Sequence, residues 1–311
     1  MSSFVHFISA AAAAFDPYIQ ALGFTAGTPD VYGARKSTDG GVTWTSHTSP
    51  INGVPVARLS TSTSKLIGTK DRIPRGIYRS TDGGLNWSLS SGSPGVWALA
   101  DDGAGTLLAT EGNTGNHIWR STDDGVTWTD LGAKSVSSQS TFLVWTGSLF
   151  LTLSNSAGFF ATSPDGSTWT NRAFTGAGSY GSWLVSPTRV MGFHSVGGST
   201  RAALSTDGGL TFSAFTMPAN VYSARVLSSI YANGLYVTLD ISAGRAYYSS
   251  DGVTWSSSAM PGGGAFWIGL AWVGDKFVAL SAFGSNNICT SPDAVTWTVM
   301  DTTDIDGLIV I

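Results

Sequence analysis

Short runs with the period-two patterning of β-strands recur along the chain, and they come in pairs separated by turn residues. HIWRS at 117–121 and VTWTDL at 126–131 flank one such turn. GVWALA at 95–100 and TLLATE at 106–111 flank another, and FWIGLAWV and KFVALSAF lie either side of Gly274-Asp275. Such a run buries one face and exposes the other, so each pair predicts an antiparallel hairpin. Val, Thr, Trp, Tyr and Phe are plentiful and good helix formers are scarce, with Glu111 the single glutamate, which favours strands throughout.

One kind of hairpin turn repeats seven times. It reads STDGGVTW at 37–44, STDGGLNW at 80–87, STDDGVTW at 121–128, SPDGSTW at 163–169, STDGGLTF at 205–212, SSDGVTW at 249–255 and SPDAVTW at 291–297. The aspartates Asp39, Asp82, Asp123, Asp165, Asp207, Asp251 and Asp293 follow one another at intervals of 41 to 44 residues. Two further strands precede each of these hairpins, so each unit is a four-stranded antiparallel meander. Units of this kind repeating every ~40 residues are the signature of a β-propeller.

The expected fold is therefore all-β, a seven-bladed propeller occupying residues 1–311 as a single domain. The last motif is followed by the apolar segment 306–311 (DGLIVI), which has no repeat of its own. It is expected to pair with the N-terminal blade and close the ring, removing an exposed sheet edge.

Each position of the turn has a physical reason. An aspartate in a turn accepts hydrogen bonds from backbone N–H groups just ahead of it. Gly41, Gly84, Gly125 and Gly209 supply the positive φ that a tight turn requires. The closing aromatics Trp44, Trp87, Trp128, Trp169, Phe212, Trp255 and Trp297 each bury roughly 150–250 Å² and form a regular layer between sheets. The seven aspartates are thus structural.

Charged residues make up 12% of the chain, and the net charge is -4. That leaves no basic field with which to hold a phosphate backbone, so nucleic acid is not an expected partner. The single cysteine, Cys289, excludes an intrachain disulfide and a cysteine metal cluster; it is read as a small buried hydrophobe on a strand. The N-terminal stretch has neither the charge pattern of a signal peptide nor an apolar run long enough to span a membrane, so membrane insertion is not expected.

The S-x-D-x-G-x-T-W pattern resembles the Asp-box, or BNR repeat, and the likeness covers all seven units. Asp-boxes occur in sialidases, xyloglucanase-type glycosidases, sortilin-like receptors, a photosystem II assembly propeller, and bacterial and phage surface proteins. The short copies at 163–169 and 291–297 look most like the last group. The resemblance implies that the boxes are structural and lie at the end of the ring opposite the usual ligand site. Arg72-Ile73-Pro74 matches the tripeptide of sialidases but falls in a loop six residues before Ser80, out of place for that family.

At the end away from the boxes the carboxylates Asp30, Asp71, Glu111, Asp130, Asp240 and Asp301 come from different loops. A glycosidase needs two of them about 5–5.5 Å or 6.5–9.5 Å apart. The loose acidic spacing of Asp301, Asp304 and Asp306 lacks the glycine and closing glutamate of a calcium loop. His6, His47, His117 and His194 fall in separate repeats without metal-ligand spacing, and neither a metal nor a cofactor is expected.

The loops at that end are rich in Gly, Ser, Thr and Asn. Tyr180, Trp183, Tyr222 and Trp267 lie at or just before the starts of inner strands, with Asn113 and Asn286 in neighbouring loops. Aromatic faces beside amides and hydroxyls suit a sugar, and aromatics filling the top of the channel are the other reading. The favoured reading is a non-enzymatic recognition or structural propeller, a phage tail or other virion component. Its partners would be a host-surface glycan or protein, or other virion subunits, and it would be found in a virion or outside the cell. A homo-oligomer fits such a part. A sialidase-like or other glycoside hydrolase is the alternative.

Overall fold

The computed structural model describes residues 19–22, 32–37, 45–49, 56–59, 62, 64–70, 76–92, 95–111, 117–133, 142–153, 159–173, 180–194, 201–216, 228–240, 244–261, 266–282, 288–301 and 309–310. The chain enters through β1 (Ile19–Leu22), β2 (Tyr32–Ser37) and β3 (Thr45–Ser49). Six continuous meanders follow, each named here by its turn aspartate. The Asp82 blade is β4 (Val56–Arg58), β5 (Leu66–Lys70), β6 (Gly76–Ser80) and β7 (Ser88–Leu89). The Asp123 blade is β8 (Val96–Asp101), β9 (Leu107–Glu111), β10 (His117–Ser121) and β11 (Thr129–Ala133). The Asp165 blade is β12 (Phe142–Trp145), β13 (Phe150–Leu153), β14 (Phe159–Ser163) and β15 (Thr170–Ala173).

The Asp207 blade is β16 (Tyr180–Val185), β17 (Val190–His194), β18 (Arg201–Ser205) and β19 (Ser213–Thr216). The Asp251 blade is β20 (Ser229–Ala232), β21 (Leu235–Asp240), β22 (Arg245–Ser249) and β23 (Ser256–Ala259). The Asp293 blade is β24 (Phe266–Val273), β25 (Lys276–Ala282), β26 (Ile288–Ser291) and β27 (Thr298–Asp301). Finally β28 (Ile309–Val310) pairs antiparallel with β1, Ala21 opposite Val310 and Leu22 opposite Ile309.

The expectation of seven equivalent blades is therefore corrected to six. Six sheets are each one continuous repeat, whereas the remaining four-stranded sheet, ordered β28-β1-β2-β3, is a composite of the two chain ends. The physical reason lies in strand supply: the first hairpin motif has no complete meander ahead of it, and its fourth strand is a two-residue segment from 309–310. The turn carrying Asp39 and Trp44 lies outside the described residues.

The core lies between blades, and each described part of it has the same composition. Leu59, Ile67 and Ile77 of the Asp82 blade pack with Val96, Leu107 and Trp128 of the next. Ala98, Leu108 and Ile118 pack with Leu143, Phe150 and Trp169. Phe142, Leu151 and Phe160 meet Trp183, Val190 and Phe212. Met191 and Phe193 meet Tyr236 and Trp255, and Val237, Leu239 and Met260 meet Trp267 and Trp297. Trp128, Trp169, Phe212, Trp255 and Trp297, which close their turns, are thus wedges driven into the preceding blade. The first strands of successive sheets touch one another along the inside, as β8 does β12, β20 does β24, and β24 does β28.

This strand order puts the first-to-second turns and the aspartate turns at one end of the propeller, the turn end. The second-to-third connections and the blade-to-blade connections run at the other, the loop end. The connections at 71–75, 112–116, 154–158, 195–200, 241–243 and 283–287 lie outside the described residues.

Candidate functional site

At the turn end the aspartate motif is a closed hydrogen-bond circuit. In the Asp123 blade, Ser121 Oγ donates to Asp123 Oδ1 (2.7 Å) and accepts from Gly125 N (2.9 Å). Asp123 accepts from Thr127 N (2.9 Å) and Thr127 Oγ1 (2.6 Å), and Trp128 Nε1 donates to Gly125 O (3.2 Å). The serine–aspartate bond recurs at Asp82, Asp165, Asp207, Asp251 and Asp293. The indole bond recurs at Trp87, Trp169, Trp255 and Trp297. Every described turn carboxylate is occupied by its own turn.

The circuit also sets the charge. Partial burial opposes ionisation of Asp207, but bonds from Thr211 Oγ1, Thr211 N and Ser205 Oγ outweigh it and bring its carboxyl down to about 2. Asp82, Asp123, Asp165, Asp251 and Asp293 are lowered as well. A carboxyl depressed on folding stabilises the fold above its unfolded pKa and loses that contribution as pH falls through the folded value. Thermal midpoints should therefore hold steady from neutral pH to about pH 4, near the ordinary carboxyl value, and fall between about pH 4 and 2. Asp207→Asn should reduce the size of that fall; an unchanged acid limb in a pH series of melts would show that these bonds do not set acid stability.

The turns at Asp123, Asp165 and Asp293 are also tied back to the blade before them. Lys65 Nζ pairs with Asp124 Oδ2, and Arg79 Nε donates to Asp124 O (2.9 Å). Ser90 Oγ donates to Gly125 O (2.6 Å), while Ser91 forms an isolated bridge with Thr127. Arg120 Nη1 reaches Ser167 Oγ (3.2 Å), and Ser258 Oγ reaches Ala294 O (2.8 Å). These turns clasp neighbouring blades, a chemistry that leaves no carboxylate over for acid–base work.

Among the described residues, the inner strand carries a one-residue bulge at the same place of the loop end in three blades, those of Asp123, Asp207 and Asp293. It falls between Val96 and Ala98, between Tyr180 and Ser182, and between Trp267 and Gly269. Trp97, Gly181 and Ile268 are the extra residues. Each bulge sits at the loop-end start of its strand, with Glu111 opposite Val96, His194 opposite Tyr180 and Ser281 opposite Trp267. Bulges bend a strand and re-aim its side chains, and they gather at barrel rims and binding sites.

Of the six residues expected to bind a ligand, three lie among the described residues. Tyr180 starts β16 beside a bulge. Tyr222, Asn113 and Asn286 lie outside the described residues. Trp183 is buried, packed at 5.3 Å from Phe142 and 5.5 Å from Phe212, with Gly192 opposite it leaving room for the ring. It fills the space that the smaller Phe212 leaves where other turns have tryptophan. Trp267 is fully buried in the interblade core, and its indole N–H has no hydrogen-bond partner among the described residues.

Of the loop-end carboxylates, Asp240 is fully buried at the end of β21. Burial and then the Asp240 charge push the Tyr247 phenol up, against a smaller opposing effect of Arg245. Asp130 accepts from Gly132 N (2.7 Å) through one oxygen and pairs with His117 Nδ1 (2.7 Å) through the other. His117 was expected to stand alone. Its pairing follows from the hairpin register, which a bulge shifts between His117 and Trp119. Asp30, Asp71, Asp304 and Asp306 lie outside the described residues. Cys289 is buried in β26, and burial pushes its thiol up to about 12, so it carries no thiolate chemistry. Among the described residues no group of three or more His, Cys, Asp or Glu is placed to hold a metal.

Solved structures share this architecture. The protein YCF48 from Cyanidioschyzon merolae superposes with a TM-score of 0.61 at 12% identity, covering 81% of this chain and 86% of its own. Virginiamycin B lyase from Staphylococcus aureus gives 0.63 at 13% identity over 85% and 96%. The GH74 enzyme of Niastella koreensis gives 0.52 at 18% identity over 94% of this chain and 64% of its own. The chain is a β-propeller of four-stranded blades. No family model matches its sequence, and no curated protein does.

Proposed function

We propose that the chain is a non-enzymatic recognition propeller whose turns are Asp-boxes, and that it grips a protein or glycan at the loop-end mouth of its channel. The observation that carries this reading is the set of three inner-strand bulges in the Asp123, Asp207 and Asp293 blades, all at that end. A bulge there re-aims the side chains at the start of the inner strand, towards the mouth. Tyr180, beside one bulge, with Tyr222, Asn113 and Asn286, supplies the aromatic and amide groups; Trp183 and Trp267 supply the packed layer beneath. A YCF48 structure carries a bound D1 peptide, which supports protein recognition by a propeller of this form.

Within that reading the protein is a virion component, a phage tail or surface part acting outside the cell. A low charge content, abundant Gly, Ser and Thr, and short box variants like those of phage surface proteins support it. The test is a glycan array probed with the purified chain, followed by a hydrolysis assay on every hit. Binding without turnover, weakened at least tenfold in Tyr180→Ala, is expected. Turnover would replace this reading with a glycoside hydrolase, and an absence of glycan binding would leave protein docking as its only form.

A further inference from the structure

Five of the eight exposed large apolar side chains among the described residues share one place in the repeat; Leu89, Val299 and Met300 lie instead on outer strands. Among the described residues, Leu85, Val126, Leu210, Val253 and Val295 occupy the same position of five aspartate turns, two residues before the closing aromatic, and are 39% to 53% exposed. Successive blades therefore carry a circle of aliphatic tips on the turn end. The turn does not require them. In the short turn of the Asp165 blade, Ser167 fills the position, and its N–H donates to Asp165 Oδ1 at 2.8 Å, the length that Val253 makes to Asp251. A hydroxyl closes the circuit as well as an aliphatic group does, so exposure of Val and Leu here answers a need outside the fold.

The tips are also held in place. Leu210, Val253 and Val295 each donate their own N–H to the turn carboxylate, which fixes the backbone that presents them. Little order remains to be imposed when a partner covers them. The charge around them selects the partner. Six ionised turn carboxylates, joined by Asp102 and Asp275 of the adjoining turns, outnumber Lys65, Arg79, Arg120, Arg189 and Lys276, and of these Lys65, Arg79 and Arg120 are already bonded to turn residues. A second copy meeting this face with its own would set carboxylates against carboxylates, and an anionic lipid surface would be repelled in the same way.

We infer that the turn end is a second docking surface, distinct from the loop end, that receives a basic protein surface carrying apolar sockets for the Leu and Val tips. The pairing is apolar contact at each tip with cations against the intervening aspartates, repeated from blade to blade so that weak contacts add.

The probe is a synthetic helical peptide with leucine on one face and lysine on the other, titrated by calorimetry. The wild-type chain is compared with a variant carrying Val126→Ser, Leu210→Ser, Val253→Ser and Val295→Ser. The variant should melt at the wild-type temperature and bind at least tenfold more weakly, and wild-type binding should weaken as salt is raised. Equal binding by the two chains would overturn the proposal, because charge alone would then account for it. So would equal wild-type binding of a leucine–glutamate peptide. Concentration-dependent dimerisation in sedimentation, present in the wild type and lost in the variant, would overturn the choice of partner in favour of a second copy. If the variant failed to fold, Val253→Ser alone, which copies the natural Ser167 turn, should still weaken binding.

Discussion

Replacing Trp128 with alanine should lower the stability of the fold by about 3–5 kcal/mol, the cost of a large ring lost from a packed core. The ring is 5% exposed and is surrounded by Leu59, Ile67 and Ile77 of one blade and Val96, Leu99 and Leu107 of its own. Its removal opens a space at a contact between two blades, and the indole bond to Gly125 O goes with it. Asp123→Ala is the matched control. It removes the bonds from Ser121 and Thr127, but in water-exposed surroundings, and should cost about 1 kcal/mol. Denaturant or thermal unfolding of the two variants decides the point: equal losses would mean that the aromatic wedge is not what joins the blades.

Gly166→Ala should cost about 2–4 kcal/mol, combining overpacking with a left-handed backbone. At φ +77° an added Cβ would come within 2.5 Å of Leu108 Cδ1 and 2.6 Å of Cδ2, and Leu108 is held between Ala98, Ile118, Leu143 and Phe150. Gly103→Ala separates the two effects. Its φ is also +77°, yet nothing lies within 4 Å of its added Cβ, so it reports the backbone cost alone, about 1–2 kcal/mol. The difference between the two melts measures how tightly one blade's turn abuts its neighbour, and a difference near zero would show that Leu108 yields freely.

Much of this architecture could be read in the residues. The turn motif fixes where each outer hairpin bends, because serine, aspartate, glycine and tryptophan satisfy one another within eight residues. The seventh copy shows how robust that logic is: Ala294 stands at the glycine position, adopts φ +61°, and the bonds from Val295 N to Asp293 and from Trp297 Nε1 to Ala294 O form as in the other turns. The number of complete blades was harder to read, because hairpins can be counted locally while an inner strand can come from the far end of the chain.

The side chains at the loop end were harder still. A one-residue bulge reverses which face the following residues occupy. Trp183 follows a bulge and Trp267 precedes one, and nothing in the local pattern of aromatic residues announces where the register slips. The His117–Asp130 pair was hidden for the same reason.

The clasps between blades all point one way along the chain. The turn at Asp123 is held by Lys65, Arg79 and Ser90, the turn at Asp165 by Arg120, and the residue after Asp293 by Ser258, each earlier in the sequence. During synthesis from the N-terminus, every new turn that emerges meets a receiving surface that has already been made, and blades can be laid down in order. The composite sheet breaks that order: β1 waits for Ile309 and Val310, so the first sheet begun is the last to be finished.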